Sequence, residues 1–199
     1  MSGVRTRRAT AILAVALSFP MYACLAHSAD IEAIKQKIAA CVACHGAEGR
    51  SVNPVVPSLA GQPKQFITTQ LVMFREGNRK DPQMSPMAAN LSNAEINDFG
   101  TYFSAQMPAP SARAVDPEKL AASRRLTEDN HCVSCHGPEL KGQQHIPRLA
   151  GQQADYLRAQ LRGFKASTRF DMDGQMTSAA QTLSDADIEI LANYLAGLK

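Results

Sequence analysis

Apolar residues recur along this chain at three-and-four spacing, the signature of helices that bury one face. Ile31, Ile34 and Ile38 form one such stripe. Ile67, Leu71 and Phe74 form a second, and Leu157, Leu161 and Phe164 repeat it later in the chain. Ile96, Phe99 and Phe103 form a third, repeated by Ile188, Leu191 and Leu195. Ser92 followed by Glu95, and Ser184 followed by Asp187, have the spacing of a capping box. Leu91 with Ile96, and Leu183 with Ile188, have that of a hydrophobic staple. Strand-like alternation of comparable length is missing, so the pattern predicts an all-α protein.

The stripes belong to a larger repetition. Cys41-Val42-Ala43-Cys44-His45-Gly46 returns as Cys132-Val133-Ser134-Cys135-His136-Gly137. Pro57-Ser58-Leu59-Ala60-Gly61-Gln62 returns as Pro147-Arg148-Leu149-Ala150-Gly151-Gln152. Gln70, Leu71 and Phe74 return as Gln160, Leu161 and Phe164, and Tyr102 as Tyr194. A unit this long is a duplicated domain rather than a solenoid repeat. The expected organisation is a first domain over residues 30–106, a Pro-containing linker over 107–116, and a second domain over 117–199.

The first residues stand apart from this pattern. Arg5, Arg7 and Arg8 precede an apolar run from Ala11 to Phe19, and small residues at Ala26, Ser28 and Ala29 follow. That order predicts an export signal over residues 1–29, since the run is too short to span a bilayer. The full chain of 199 residues carries a formal charge of +3, but without those three arginines 18 basic residues face 18 acidic ones. No basic patch suggests a nucleic-acid partner. There is no Trp and the aromatic fraction is 6%. Domains so poor in large side chains need another source of core volume.

The cysteines indicate that source. Cys24 lies in the predicted signal, leaving Cys41, Cys44, Cys132 and Cys135. Each pair has the form Cys-x-x-Cys-His, which attaches haem: two thiols three residues apart reach neighbouring vinyl groups, and the adjoining His45 or His136 lies under the ring to ligate iron. Zinc would not require His at the same place twice. A dithiol redox site needs a βαβ context, and two disulfides would leave the histidines unexplained. Two covalent haem c groups are therefore expected.

The sixth position of each iron calls for Met in an electron carrier, because a thioether raises the potential. Among eight Met residues the repeat selects a pair: Met84 precedes Leu91 by seven residues, as Met176 precedes Leu183, and each follows a Gln. Met87 and Met172 are the next candidates. The carbonyls of Pro57 and Pro147 are candidate acceptors for the second N–H of each His. Arg79 and Arg169 correspond, as partners of a haem carboxylate or as solvated surface groups. His131 and His145, which lack His counterparts, are read as packed or solvent-facing.

With these motifs in tandem, together with the repeated Leu-Ala-Gly-Gln segments, the chain resembles the cytochrome c4 family of di-haem class I cytochromes. The resemblance covers nearly all of residues 30–199. It implies two tandem cytochrome c-like domains that face each other, each wrapped around one covalent haem with His/Met coordination. It also implies a periplasmic carrier, commonly a donor to terminal oxidases. A longer loop before Met176 than before Met84 would separate the two potentials. The alternatives are the cytochrome subunit of a dehydrogenase, flavoprotein or sulfur-oxidising, and a haem peroxidase, which needs an open iron. As a carrier the chain is not an enzyme. Its partners would be redox proteins, an upstream donor and a terminal oxidase, and peripheral membrane association stays open.

Overall fold

The computed structural model describes residue 34 and residues 36–110 and 117–199. The proposed signal, residues 1–29 with Cys24, and part of the proposed linker, residues 111–116, lie outside the described residues. Within them the chain is all-α, apart from one isolated bridge between Gln143 and Ile146. Helix α1 runs through residues 36–45, followed by a 3-10 turn at Ala47–Gly49. Then come α2 (Lys64–Arg75), α3 (Met84–Ala88) and α4 (Asn93–Ser104). The second half has α5 (Pro117–Asp129), α6 (Cys132–His136), α7 (Ala154–Lys165), α8 (Gln175–Gln181) and α9 (Asp185–Gly197). No helix among the described residues is long and apolar enough to cross a membrane.

Packing follows the repeat. Helix α2 lies against α3 and α4, as α7 lies against α8 and α9. Ile38, Ile67, Phe99 and Phe103 are the buried centre of the first half. In the second, Leu157, Leu191 and Leu195 take the places of Ile67, Phe99 and Phe103, and Ile188 is buried beside them. Both capping boxes close. The Glu95 N–H donates to Ser92 Oγ at 3.2 Å while the Ser92 N–H donates to Glu95 Oε2 at 2.7 Å. Ser184 and Asp187 do the same at 3.1 and 2.8 Å.

The halves differ in how they approach the cysteines. In the first half a single helix carries the chain through Cys41 to His45. In the second, α5 stops at Asp129 and the chain passes through His131, whose φ of 55° is left-handed, before α6 begins. Asn130 stabilises the break: its side chain donates to the Leu126 carbonyl at 2.9 Å and accepts from Thr182 at 3.0 Å. His131 and His145 are both exposed, as the solvent-facing alternative had it.

The two halves meet along a seam with a local two-fold relation. Gln62 donates to the Arg148 carbonyl at 2.8 Å and accepts from the Arg148 N–H at 3.0 Å. Gln152 does the same to Ser58, both bonds being 2.8 Å. Ser58 and Arg148 are repeat counterparts, so each glutamine of the Leu-Ala-Gly-Gln segments clasps the partner segment's backbone. Gln62 is 3% exposed and Gln152 5%, and truncating either strands a buried N–H and C=O. Gln152→Ala is expected to cost about 1–3 kcal/mol, measured as a lower denaturation midpoint of the holoprotein.

Candidate functional site

His45 and His136 are the fixed points of the site, 6% and 4% exposed. Nδ1 of His45 donates to the Pro57 carbonyl at 2.8 Å, and Nδ1 of His136 donates to the Pro147 carbonyl at 2.8 Å. A carbonyl only accepts, so each Nδ1 carries the hydrogen and each Nε2 keeps its lone pair. Burial lowers both imidazole pKa values and outweighs the opposing effect of the carbonyl bond. Each ring is thus held neutral, in one tautomer, in the form that binds a metal.

Glycine follows each His because the chain must turn where only glycine goes. Gly46 has φ 80° and ψ 166°, and Gly137 has φ 82° and ψ 161°. At Gly137 a Cβ would meet nothing within 4 Å, whereas at Gly46 it would lie 2.1 Å from the Arg50 carbonyl oxygen. Gly137→Ala is expected to cost about 1–3 kcal/mol of backbone strain, and Gly46→Ala clearly more, compared by thermal unfolding of the two holoproteins.

The four thiols are unpaired with one another. Burial raises the pKa of Cys41 and Cys132. Among the described residues no three His, Cys, Asp or Glu side chains converge to hold a metal ion.

Met84 is the first residue of α3 and Met176 the second of α8. Repeat-related aspartates anchor both: the Met84 N–H donates to Asp81 Oδ1 at 2.8 Å, and the Met176 N–H to Asp171 Oδ2 at 2.9 Å. Asp171 reaches five residues forward where Asp81 reaches three, and so absorbs the longer loop. Burial pushes the Asp171 carboxyl up, but the N–H groups of Met176 and Thr177 and nearby side-chain hydrogen bonds bring it below its usual value. Met87 and Met172, the second choices, are 51% and 73% exposed.

All eight site residues line one continuous cavity of about 1560 Å³ shared by both halves. Its walls are mainly apolar, with Leu71, Phe74, Phe99 and Phe103 on one side and Leu157, Leu161, Phe164 and Leu191 on the other. The residues present fit haem: paired thiols, a neutral buried imidazole and a thioether face the same apolar space in each half, and that space supplies the core volume the side chains lack. Arg79 and Arg169 also line it. They are not solvated surface groups: each guanidinium lies over a ring of its own half, Arg79 over Phe74 at 4.5 Å and Arg169 over Phe164 at 4.4 Å.

The family model for cytochrome c matches the chain twice, over residues 31–105 and 120–199. Cytochrome c4 of Thiocapsa roseopersicina is 38% identical over 169 residues, covering 79% of this chain and 86% of that protein. The chain belongs to the cytochrome c4 family. This cytochrome therefore carries two covalent haem c groups and acts as a di-haem electron carrier. The crystal structure of reduced recombinant cytochrome c4 from Pseudomonas stutzeri superposes on it with a TM-score of 0.77 at 33% identity, covering 84% of this chain and 98% of that one. The thiosulfate dehydrogenase electron acceptor of Thiomonas intermedia (strain K12) is also 38% identical, over 79% of this chain and 78% of that protein.

Two groups of residues in this cytochrome escaped the sequence reading. Asp81 and Asp171 match at an offset of 90, and that match was the available signal. Tyr156 has Phe66 as its counterpart, so the repeat could mark it only as a difference.

Proposed function

We propose that this cytochrome is a periplasmic one-electron relay, with Cys41 and Cys44 attaching one haem and Cys132 and Cys135 the other. His45 and Met84 ligate the first iron, and His136 and Met176 the second. The observation that carries this reading is the matched pair of buried histidines, each held by a proline carbonyl above the shared cavity. Haem supplies an iron that changes oxidation state by one electron with its ligands in place. The chain's own residues keep the site closed. The proline carbonyls fix the imidazoles, the aspartates fix the methionine loops, and the apolar walls exclude water.

The domain assignment belongs to the same proposal: an export signal at 1–29, domains at 30–106 and 117–199, and a linker at 107–116. The two cytochrome c matches, over residues 31–105 and 120–199, fall within those domains. Export follows from the charged, apolar and small-residue order of the first 29 residues. N-terminal sequencing of protein recovered from the periplasm tests it, with a start near Asp30 expected and a retained Met1 contradicting it.

The respiratory role proposed is donation to a terminal oxidase. A second reading, as acceptor for a sulfur-oxidising dehydrogenase, is favoured by the relative named as a thiosulfate dehydrogenase electron acceptor. The two roles are the two ends of one relay. Stopped-flow mixing of the oxidised cytochrome with thiosulfate and its dehydrogenase, and of the reduced cytochrome with oxidase membranes, tests each end. Haem reduction in the first experiment supports the acceptor role, and rapid oxidation in the second supports the donor role. Failure of either withdraws that role.

A further inference from the structure

Helices α2 and α7, with the turns that follow them, present repeat-related side chains to the seam. Gln70 matches Gln160, Arg79 matches Arg169, and Phe66 matches Tyr156. The backbone keeps the two-fold relation: the Phe66 N–H donates to the Gln144 carbonyl and the Tyr156 N–H to the Pro54 carbonyl, both at 3.1 Å. The Tyr156 hydroxyl has no partner in symmetry, and the guanidiniums respond to it. Arg79 holds Gln70 of its own half at 2.6 Å and crosses the seam to Tyr156 Oη at 3.2 Å and Gln160 Oε1 at 3.1 Å. Arg169 holds Gln160 of its own half at 2.5 Å and reaches back to Gln70 only at 3.5 Å.

Both cations therefore lean on α7, in the second half. Among the described residues, Arg169 Nε is the buried side-chain nitrogen or oxygen left without a hydrogen-bond partner. A buried donor in that state marks an acceptor not yet counted. Burial has pulled the Arg169 pKa down to about 10. Burial would also raise the Tyr156 phenol, but the Arg79 and Arg169 guanidiniums hold it below its usual value.

We propose that Tyr156 is a positioning residue that separates the reduction potentials of the two haem sites. It draws Arg79 across the seam and leaves Arg169 Nε free for a carboxylate on the edge of the second haem. Positive charge gathered near one iron favours its reduced state over that of the other. The inference rests on the two-haem reading of the cavity.

Two variants restore symmetry from opposite sides. Tyr156→Phe removes the hydroxyl, and Phe66→Tyr adds its mate, which gives Arg169 a matching partner across the seam. Spectroelectrochemical titration of each holoprotein should show two midpoint potentials closer together than in the parent, with the second-half potential shifted down in Tyr156→Phe. The thioether-to-iron bands report that both sites are still closed. A separation unchanged in both variants, with two haems bound, would overturn the inference alone. A parent protein with fewer than two haems would overturn the two-haem reading and the inference together.

Discussion

Met84→Ala and Met176→Ala should each remove one of two thioether-to-iron absorption bands from the oxidised protein, and the double variant should remove both. Each methionine lies in the first turn of a short helix, with its N–H held by an aspartate, Asp81 or Asp171. The altered iron should bind carbon monoxide, and its potential should fall by on the order of 0.1 V, within the roughly 0.8 V that axial ligands span. The nearest spare thioethers, Met87 and Met172, are 51% and 73% exposed. Reaching the iron would require each to bury a side chain that now faces solvent. An unchanged band in either single variant would show that another residue holds that iron.

The second large effect is on folding. Cys132→Ser with Cys135→Ser should leave the second half unable to retain its haem, and that half should lose its cooperative thermal transition. The cavity of about 1560 Å³ is the interior of both halves rather than a groove on a finished core. At about 24 cal/mol per Å³, a void of a few hundred Å³ costs on the order of 5–10 kcal/mol, comparable to a whole domain's stability of about 5–15 kcal/mol. Intact mass should show one haem instead of two. Circular dichroism should show lost helix, where a merely surface-bound haem would leave it intact.

The fold was largely legible because the duplicated sequence states each element twice. Apolar stripes marked α2, α4, α7 and α9, and Ser92 and Ser184 marked the start of α4 and α9. Helix α5 was not legible in the same way. Its buried face includes Ser123 and Thr127, 2% and 3% exposed, so the burial leaves little apolar periodicity. Each hydroxyl is satisfied within the helix, Ser123 by the Lys119 carbonyl at 2.8 Å and Thr127 by the Arg124 carbonyl at 2.7 Å. The break at His131 depends on Thr182, 52 residues away from Asn130, and no local pattern contains it.

At the site, cysteine spacing and the adjoining His are local chemistry and could be read directly. The seam could not. In sequence Gln62 and Gln152 are only the repeated ends of the Leu-Ala-Gly-Gln segments, yet each spends its amide on the other half's backbone. Arg79 and Arg169 looked compatible with a solvated surface, yet each stacks on a phenylalanine of its own half. Such roles depend on how the halves dock, which a repeat announces as matching residues without saying what they touch.

Spectroelectrochemical titration of the purified mature protein, oxidised to reduced and back, with carbon monoxide added at the end, goes to the heart of the carrier function. Two reversible one-electron steps per chain, both thioether bands in the oxidised form, and no spectral change with carbon monoxide are predicted. A single electron per chain, or an iron that takes up carbon monoxide, would contradict two closed His/Met sites and turn attention to catalysis at the open haem.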